Sequence, residues 1–470
     1  MSRSTRLILL AAFAAGCATN PVTGRSELAL VSEAQEIQMG QEYAEQVKAQ
    51  IGLYDDPALQ AYVAQLGRRL AAESERPQIP WQFHVVDDAA VNAFALPGGP
   101  VFITRGIVTH MNSEAELVSV LGHEIGHITA RHSVQQMSKQ QLAGLGLGVG
   151  SILSPTVAQA AGIASTGLSV LFLKYGRDAE RQADELGFKY MVRENYDPRD
   201  MAAMFQTLQR TGGSSEGRLP SWLSSHPFPE EREAAVRQRI DSMGGARATM
   251  VTNDAAFLEH TNGMVFGEDP REGFFRNGLF LHPGLRFQLA FPDGWATQNT
   301  KQVVAAQSPQ QDAIIQLSLG QGSPSQAAQK FFGQQGIQSS NVSNSSINGN
   351  PAVSGYFSAS TEQGQLQGIV SFVQYGNATF QLMGYTPAAK MRAYDATFRQ
   401  AIGSFRQLTD QSALNVQPAK VELVRVPRRM TVAEFNSQYP STIPVEQVAV
   451  INGVEPGGSL EAGRMAKRVR

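Results

Sequence analysis

The chain carries His123-Glu124-Ile125-Gly126-His127, two imidazoles one helical turn apart with a carboxylate beside the first. Residues four apart on a helix lie one above the other. Both rings can then reach one metal ion, and Glu124 stands where it can take a proton from an attacking water, which is zinc-hydrolase chemistry. The other reading is a solvated helix that happens to hold two of the chain's 8 histidines. A hydrolytic zinc site wants three protein ligands and one open position. His132 comes one residue too early for the longer His-x-x-Gly-x-x-His continuation, and Ala130 stands where its glycine would be, so His132 is expected on the helix surface. Glu180 is the better third candidate. Asp184 follows it by one turn and could accept the free N–H of a metal-bound histidine. The same spacing reads equally well as a plain acidic helix face.

These residues need elements to position them. Ser113-x-x-Glu116 resembles a capping box opening the motif helix. Leu117, Leu121, Ile125 and Ile128 then form one apolar stripe, with His123 and His127 roughly opposite and Gly122 and Gly126 allowing close packing. Upstream, Ser32-x-x-Gln35 caps a helix with Ile37, Ala44, Val47 and Ile51 on one face. A second helix follows Pro57, and strands are expected over Trp81–Val86 and Val101–Thr104, the latter after a Pro97-Gly98-Gly99 turn. Residues 140–173 hold no charge and read either as a lid over the cleft or as membrane-touching helices too short to span.

Bulk composition narrows the class. At 470 residues the chain has room for two or three domains of about 150 each. Apolar residues at 42% and charged residues at 17% suit domains with real cores, and a net charge of -2 gives no footprint for nucleic acid. The only cysteine is Cys17, so no intramolecular disulfide forms. Arg3 and Arg6, the apolar run Leu7–Ala15 and the small residues before Cys17 read as a bacterial lipoprotein signal, with cleavage before Cys17 and its acylation. Ala18, by resemblance to enterobacterial lipoproteins, implies an outer-membrane anchor facing the periplasm.

Beyond residue 270 alternating apolar residues and the Gly376-Asn377 hairpin signal indicate a β-rich domain, with Ser339–Asn350 as a polar loop and one amphipathic helix carrying Tyr394, Phe398, Ile402 and Phe405. After a linker near Thr409–Pro418, the last residues loosely resemble a LysM-like module, which implies peptidoglycan as a partner; a structural cap is the alternative.

Asn92-Ala93-Phe94-Ala95-Leu96-Pro97-Gly98-Gly99, the His-Glu-x-x-His motif, Glu180-x-x-Ala183-Asp184, and Ser225-His226-Pro227 with Arg232 occur in that order. Together they resemble the HtpX-like and CAAX-prenyl-protease-like gluzincins of peptidase family M48 in their periplasmic lipoprotein form. The resemblance implies one Zn2+ per chain on His123, His127 and Glu180, with Glu124 as general base. It implies that Asn92, Ala93, Phe94, Ala95, Pro97, Gly98 and Gly99 form an edge against which substrate pairs as a strand. It brings His226 to the metal, as a fourth ligand or as an oxyanion donor, with Arg232 orienting it or touching substrate.

The expected architecture is α+β: a mainly helical zincin-type metalloprotease domain with a small edge sheet, a β-rich α+β domain and a small terminal module. The expected divisions are a signal at 1–16, a tether at 17–30, the peptidase domain at 31–265, the β-rich domain at 270–408 and the module at 419–470. The expected function is a zinc endopeptidase at the outer membrane acting on misfolded or stalled envelope proteins. The rival is a chaperone or assembly scaffold whose zinc site is closed.

Overall fold

A computed structural model of the protein describes residues 17–146, 174–211, 222–361 and 364–470. The expected signal at 1–16 lies outside them, as does the lid or membrane reading of 140–173 beyond residue 146. The described residues fall into two compact units. The first runs to Glu268 and resumes over Ala419–Arg470, and the second is Asp269–Pro418.

The first unit opens with a small ladder, β1 (Cys17–Thr19) against β2 (Ser26–Leu28). This differs from a free tether. Asn20 Oδ1 accepts from Val22 N–H, turning the chain back, and Leu30 N–H donates to Ser138 Oγ at 3.0 Å. Helix α1 (Glu33–Gln50) starts at a complete Ser32/Gln35 capping box, and α2 (Pro57–Ala72) has Asp56 as its cap and Pro57 in its first turn. Strands β3 (Gln82–Val86), β4 (Ala93–Ala95) and β5 (Pro100–Thr104) form a sheet in the order β3-β5-β4, with β3 parallel and β4 antiparallel to β5. Between β4 and β5, Gly98 and Gly99 have φ of 73° and 136°. A Cβ on Gly98 would sit 2.5 Å from Ile37 Cα, so the turn needs glycine for both conformation and space.

After α3 (Arg105–His110) comes the motif helix, α4 (Glu114–Thr129). Ser113 Oγ caps it by accepting from Glu116 N–H, but the Glu116 carboxylate accepts from Asn112 N–H rather than from the cap residue. Every residue of α4 is buried. Its apolar stripe joins Phe83, Ile103, Tyr190, Met191 and Phe205 in one core. Each such large side chain contributes about 1.5–3 kcal/mol when fully buried. Its other flank lies on α6 (Arg177–Arg193), beyond α5 (His132–Gly146).

Two glycines make that contact possible. A Cβ on Gly187 would lie 2.9 Å from His123 N and 3.1 Å from Gly122 C. Gly187→Ala should therefore push α6 off α4, destabilising the fold by about 1–3 kcal/mol and lowering metal affinity together with it. Thermal unfolding and zinc titration of the variant check both. The unit continues with α7 (Arg199–Thr211), α8 (Trp222–Ser225), α9 (Pro229–Ser242) and α10 (Asp254–Thr261).

The second unit holds a seven-stranded antiparallel sheet. Its spatial order is Ile337–Ile347, Asn350–Thr361, Gly364–Tyr375, Ala378–Pro387, Ile314–Gly320, Val303–Gln307 and Ala296–Asn299. The Gly376-Asn377 hairpin forms, with Gly376 at φ 56°. The helix Met391–Gly403 buries Phe398 and Ile402, with Phe405 buried just beyond it. Ser339–Asn350 is not a loop: most of it is the edge strand Ile337–Ile347, paired with Asn350–Thr361. Nine of its residues in a row are exposed on both faces. Backbone pairing and the Ser345–Ser354 hydroxyl contact at 2.8 Å hold them there, so no hydrophobic alternation marks the strand.

Residues 419–470 do not stand apart from the first unit. Strands Val421–Arg425 and Met465–Val469 pair, and Val421, Ile451 and Val469 pack with Phe266. Lys467 is wholly buried, and its Nζ donates to the carbonyls of Thr109 at 2.9 Å and Met111 at 2.6 Å. A linker-like composition marks a boundary but does not say which unit the chain rejoins. No helix among the described residues is long and apolar enough to cross a membrane.

Candidate metal centre

Four side chains from three places in the sequence converge. Helix α4 presents His123 and His127, α6 presents Glu180, and the turn after α8 presents His226. That turn is set by Phe228, whose φ of 67° is a left-handed conformation uncommon for an aromatic residue, between two prolines. It lets His226 and Arg232 face the same centre. His123 Nε2 lies 3.0 Å from His127 Nε2 and 3.1 Å from His226 Nδ1. Glu180 Oε1 lies 3.1 Å from His226 Nδ1 and 3.5 Å from His127 Nε2, and Glu180 Oε2 is 3.6 Å from His123 Nε2. Tetrahedral zinc with bonds of about 2.0–2.1 Å needs donors roughly 3.3 Å apart, and these edges match.

Charge supports the same conclusion. Glu124, Glu180 and Asp184 are all buried, against one buried cation at the site, Arg232. A divalent ion balances the remainder. Glu124 Oε1 is also buried with no hydrogen-bond partner, and such an orphan is costly. The residues fit a zinc ion.

The surrounding bonds hold the donors in place. Asp184 Oδ1 is 2.9 Å from His123 Nδ1, which leaves Nε2 for the metal. Arg232 donates to both Asp184 oxygens at 2.7 and 2.6 Å, and its guanidinium lies over the Phe205 and Trp222 rings, 4.5 and 4.4 Å from their centres. Trp222 stacks on His226 with ring centres 4.7 Å apart. Burial tends to raise the Asp184 and Glu180 carboxyls, but both are held below their usual range, Asp184 by Arg232 and Glu180 by His226 and Arg232. Burial pushes Glu124 up to about 7, with Glu180 adding to the rise. That is the range a general base uses near neutral pH. Burial, helped by Arg232, takes His123 down to about 3, so it is a neutral donor.

His132 is not on a helix surface. Helix α4 ends at Thr129, and Arg131 takes φ 61°, so His132 starts α5 in a new direction and its ring turns back under His127. It is buried, with Nδ1 2.9 Å from His127 Nδ1 and Nε2 2.9 Å from Gln182 Oε1. Tyr175 also went unread in the sequence. Its ring lies 4.2 Å from that of His127, and its hydroxyl is 2.8 Å from Ser133 Oγ. Neither Tyr175 nor Trp222 carries a spacing signal, because Tyr175 precedes α6 and Trp222 opens α8, which is only four residues long.

The Asn92–Gly99 segment lies beside α4 as the edge of the small sheet. Asn92 Oδ1 accepts from Ala93 N–H, and Pro97, Gly98 and Gly99 turn the chain against α1 and the start of β3. Leu96 N–H donates to Pro100 O at 2.8 Å and Thr104 N–H to Asn92 O at 3.1 Å. The alternation of an antiparallel ladder then turns the backbone of Phe94 toward β5 and that of Ala93 and Ala95 to the other edge. The Cys17 backbone lies in β1.

Residues 57–240 match the sequence profile of Peptidase family M48. They form a peptidase family M48 domain. M48 metalloproteases are zinc-dependent, in agreement with the donor set. Over 307 residues the chain is 31% identical to the beta-barrel assembly-enhancing protease of Escherichia coli (strain K12), covering 63% of this chain and 59% of that one. The Yersinia pestis protein of the same name is 34% identical over 47% of each chain. The mitochondrial metalloendopeptidase OMA1 of Arabidopsis thaliana is 32% identical over 39% of this chain and 36% of its own. The chain thus spans between about a third and three fifths of these relatives' lengths. His123, His127, Glu180 and His226 all fall within the matched residues, and among the described residues they are a group that could hold a metal ion.

Proposed function

We propose that the chain is a zinc-dependent endopeptidase of the bacterial cell envelope that cleaves misfolded or stalled envelope proteins. The convergence of His123, His127 and Glu180, with Glu124 beside them in an M48 domain, carries this reading. The substrate class follows the names of the bacterial relatives. Zinc held by those three residues would supply Lewis acidity to a peptide carbonyl and to the attacking water. Glu124 takes the proton from that water and returns it to the leaving amine as the C–N bond breaks. The outward carbonyl of Ala93 and the outward backbone of Ala95 pair with extended substrate and hold its carbonyl in line. Asp184 and Arg232 keep His123 oriented.

His226 supports a closed resting state. Its Nδ1 stands at the fourth corner of the donor set, and its Nε2 is 3.6 Å from Glu124 Oε1. It therefore blocks both the position water needs and the base that would use it. His226→Ala at saturating zinc should raise turnover. A closed form favoured by only about 1.4 kcal/mol already holds activity down tenfold. A fall in turnover instead would assign His226 to the oxyanion.

The burial of the whole centre favours the chaperone or scaffold reading as the second choice. The deciding assay is degradation of an unfolded β-barrel protein by the chain from residue 18 onward, with zinc and after chelation. Cleavage lost on chelation and restored by zinc supports the endopeptidase. No cleavage by the parent or by His226→Ala, both at full zinc occupancy, leaves the scaffold. The finer parts of the proposal are a lipid anchor on Cys17 in the outer membrane and a peptidoglycan contact through residues 419–470. Mass spectrometry of the envelope-extracted chain and co-sedimentation with purified peptidoglycan test them.

A further inference from the structure

The two histidines of α4 are supported differently. His123 Nδ1 faces a carboxylate, Asp184, itself held by Arg232. His127 Nδ1 faces another imidazole, 2.9 Å away on His132, whose far nitrogen meets the Gln182 side-chain oxygen at 2.9 Å. With both imidazoles neutral, one proton arrangement satisfies all these contacts. Gln182 Oε1 can only accept, so His132 carries its proton on Nε2, and its bare Nδ1 accepts from His127 Nδ1–H. His127 Nε2 is then the unprotonated nitrogen, and it is the one that faces His123, Glu180 and the centre of the donor set.

We infer that His132 is a positioning residue of the metal centre: with Gln182 it fixes the tautomer and ring orientation of His127 through a neutral relay. This rests on the zinc reading above and goes beyond it, since no motif residue includes His132 or Gln182. A neutral partner suits the charge of the site. Glu124, Glu180 and Asp184 are already balanced by Arg232 and a divalent ion, and a carboxylate in place of His132 would add an uncompensated buried anion.

The test uses the whole chain and reads zinc affinity by chelator competition, the visible spectrum of the cobalt-loaded protein, and thermal unfolding without metal. His132→Phe keeps the ring volume but loses the acceptor, and should bind zinc about 10–100-fold more weakly with an altered cobalt spectrum. His132→Asn puts an amide oxygen near the place of Nδ1 and should recover most of the affinity. His132→Gln places its amide near Nε2 and should not. Gln182→Leu, more peripheral, should give a smaller loss in the same direction. Parent-like affinity and spectrum in His132→Phe overturn the proposal. So does an equal loss in the Phe and Asn variants that tracks a drop in metal-free unfolding temperature. If the parent chain itself holds no zinc, the metal-centre reading falls first.

Discussion

Glu124→Gln should lower peptide-bond hydrolysis by about 10²–10⁴-fold while the chain still holds one zinc. Glutamine keeps the shape of the side chain but cannot take up a proton. Glu124 is not among the converging donors, which are His123, His127, Glu180 and His226. Its carboxylate is buried with one oxygen unpartnered, so removing the charge also relieves desolvation, and the metal-free variant should unfold no sooner than the parent. Initial rates on an unfolded protein, zinc content and thermal unfolding measure the three parts. If the parent is silent because His226 closes the site, the comparison belongs in the His226→Ala background. Retained turnover would remove Glu124 as the base, and lost zinc would make it a ligand.

Arg232→Leu should be the most destabilising substitution around the centre. The guanidinium donates to Asp184 at 2.6 and 2.7 Å, lies 2.9 Å from Glu180, and contacts the Phe205 and Trp222 rings. Without it two buried carboxylates lose their cation, a change worth about 3–5 kcal/mol. The loss should be largest in the metal-free chain and smaller with zinc present, because the metal then shares the burden of Glu180. Calorimetry of both forms gives the difference. Arg232→Lys should fall between, since a single ammonium cannot make the paired contact. Equal losses with and without zinc would mean that Arg232 acts through packing alone.

The centre was legible where residue type and helical spacing coincide. His123, Glu124 and His127 read directly, because a four-residue repeat on a helix is a geometric statement. Glu180 and Asp184 needed the family resemblance, since an acidic pair one turn apart is common on any helix. His226 and Arg232 were out of reach of spacing altogether, as they arrive by way of the turn at Phe228. His132 was misplaced because extending α4 past Thr129 assumes an unbroken helix, and Arg131 breaks it. In the second unit, the helix at Met391–Gly403 read well from its apolar face. The strand Ile337–Ile347 did not, because both its faces are wet and its stability comes from backbone pairing. Lys467 illustrates the same limit: a charged residue in a strand reads as solvent-facing until its partners, the carbonyls of Thr109 and Met111, are known.

Lys467 also sets an order of events. The carbonyls it satisfies close α3 and precede the first turn of α4, yet the lysine is separated from them by the whole second unit. The first unit is thus discontinuous along the chain, and its core near Phe266 stays open until residues 419–469 have been made. At ordinary synthesis rates of about 5–20 residues per second, that interval is roughly 10–40 s. Contacts of such long sequence separation also slow folding itself. A nascent chain therefore completes the first unit late, once the whole segment that interrupts it has been made.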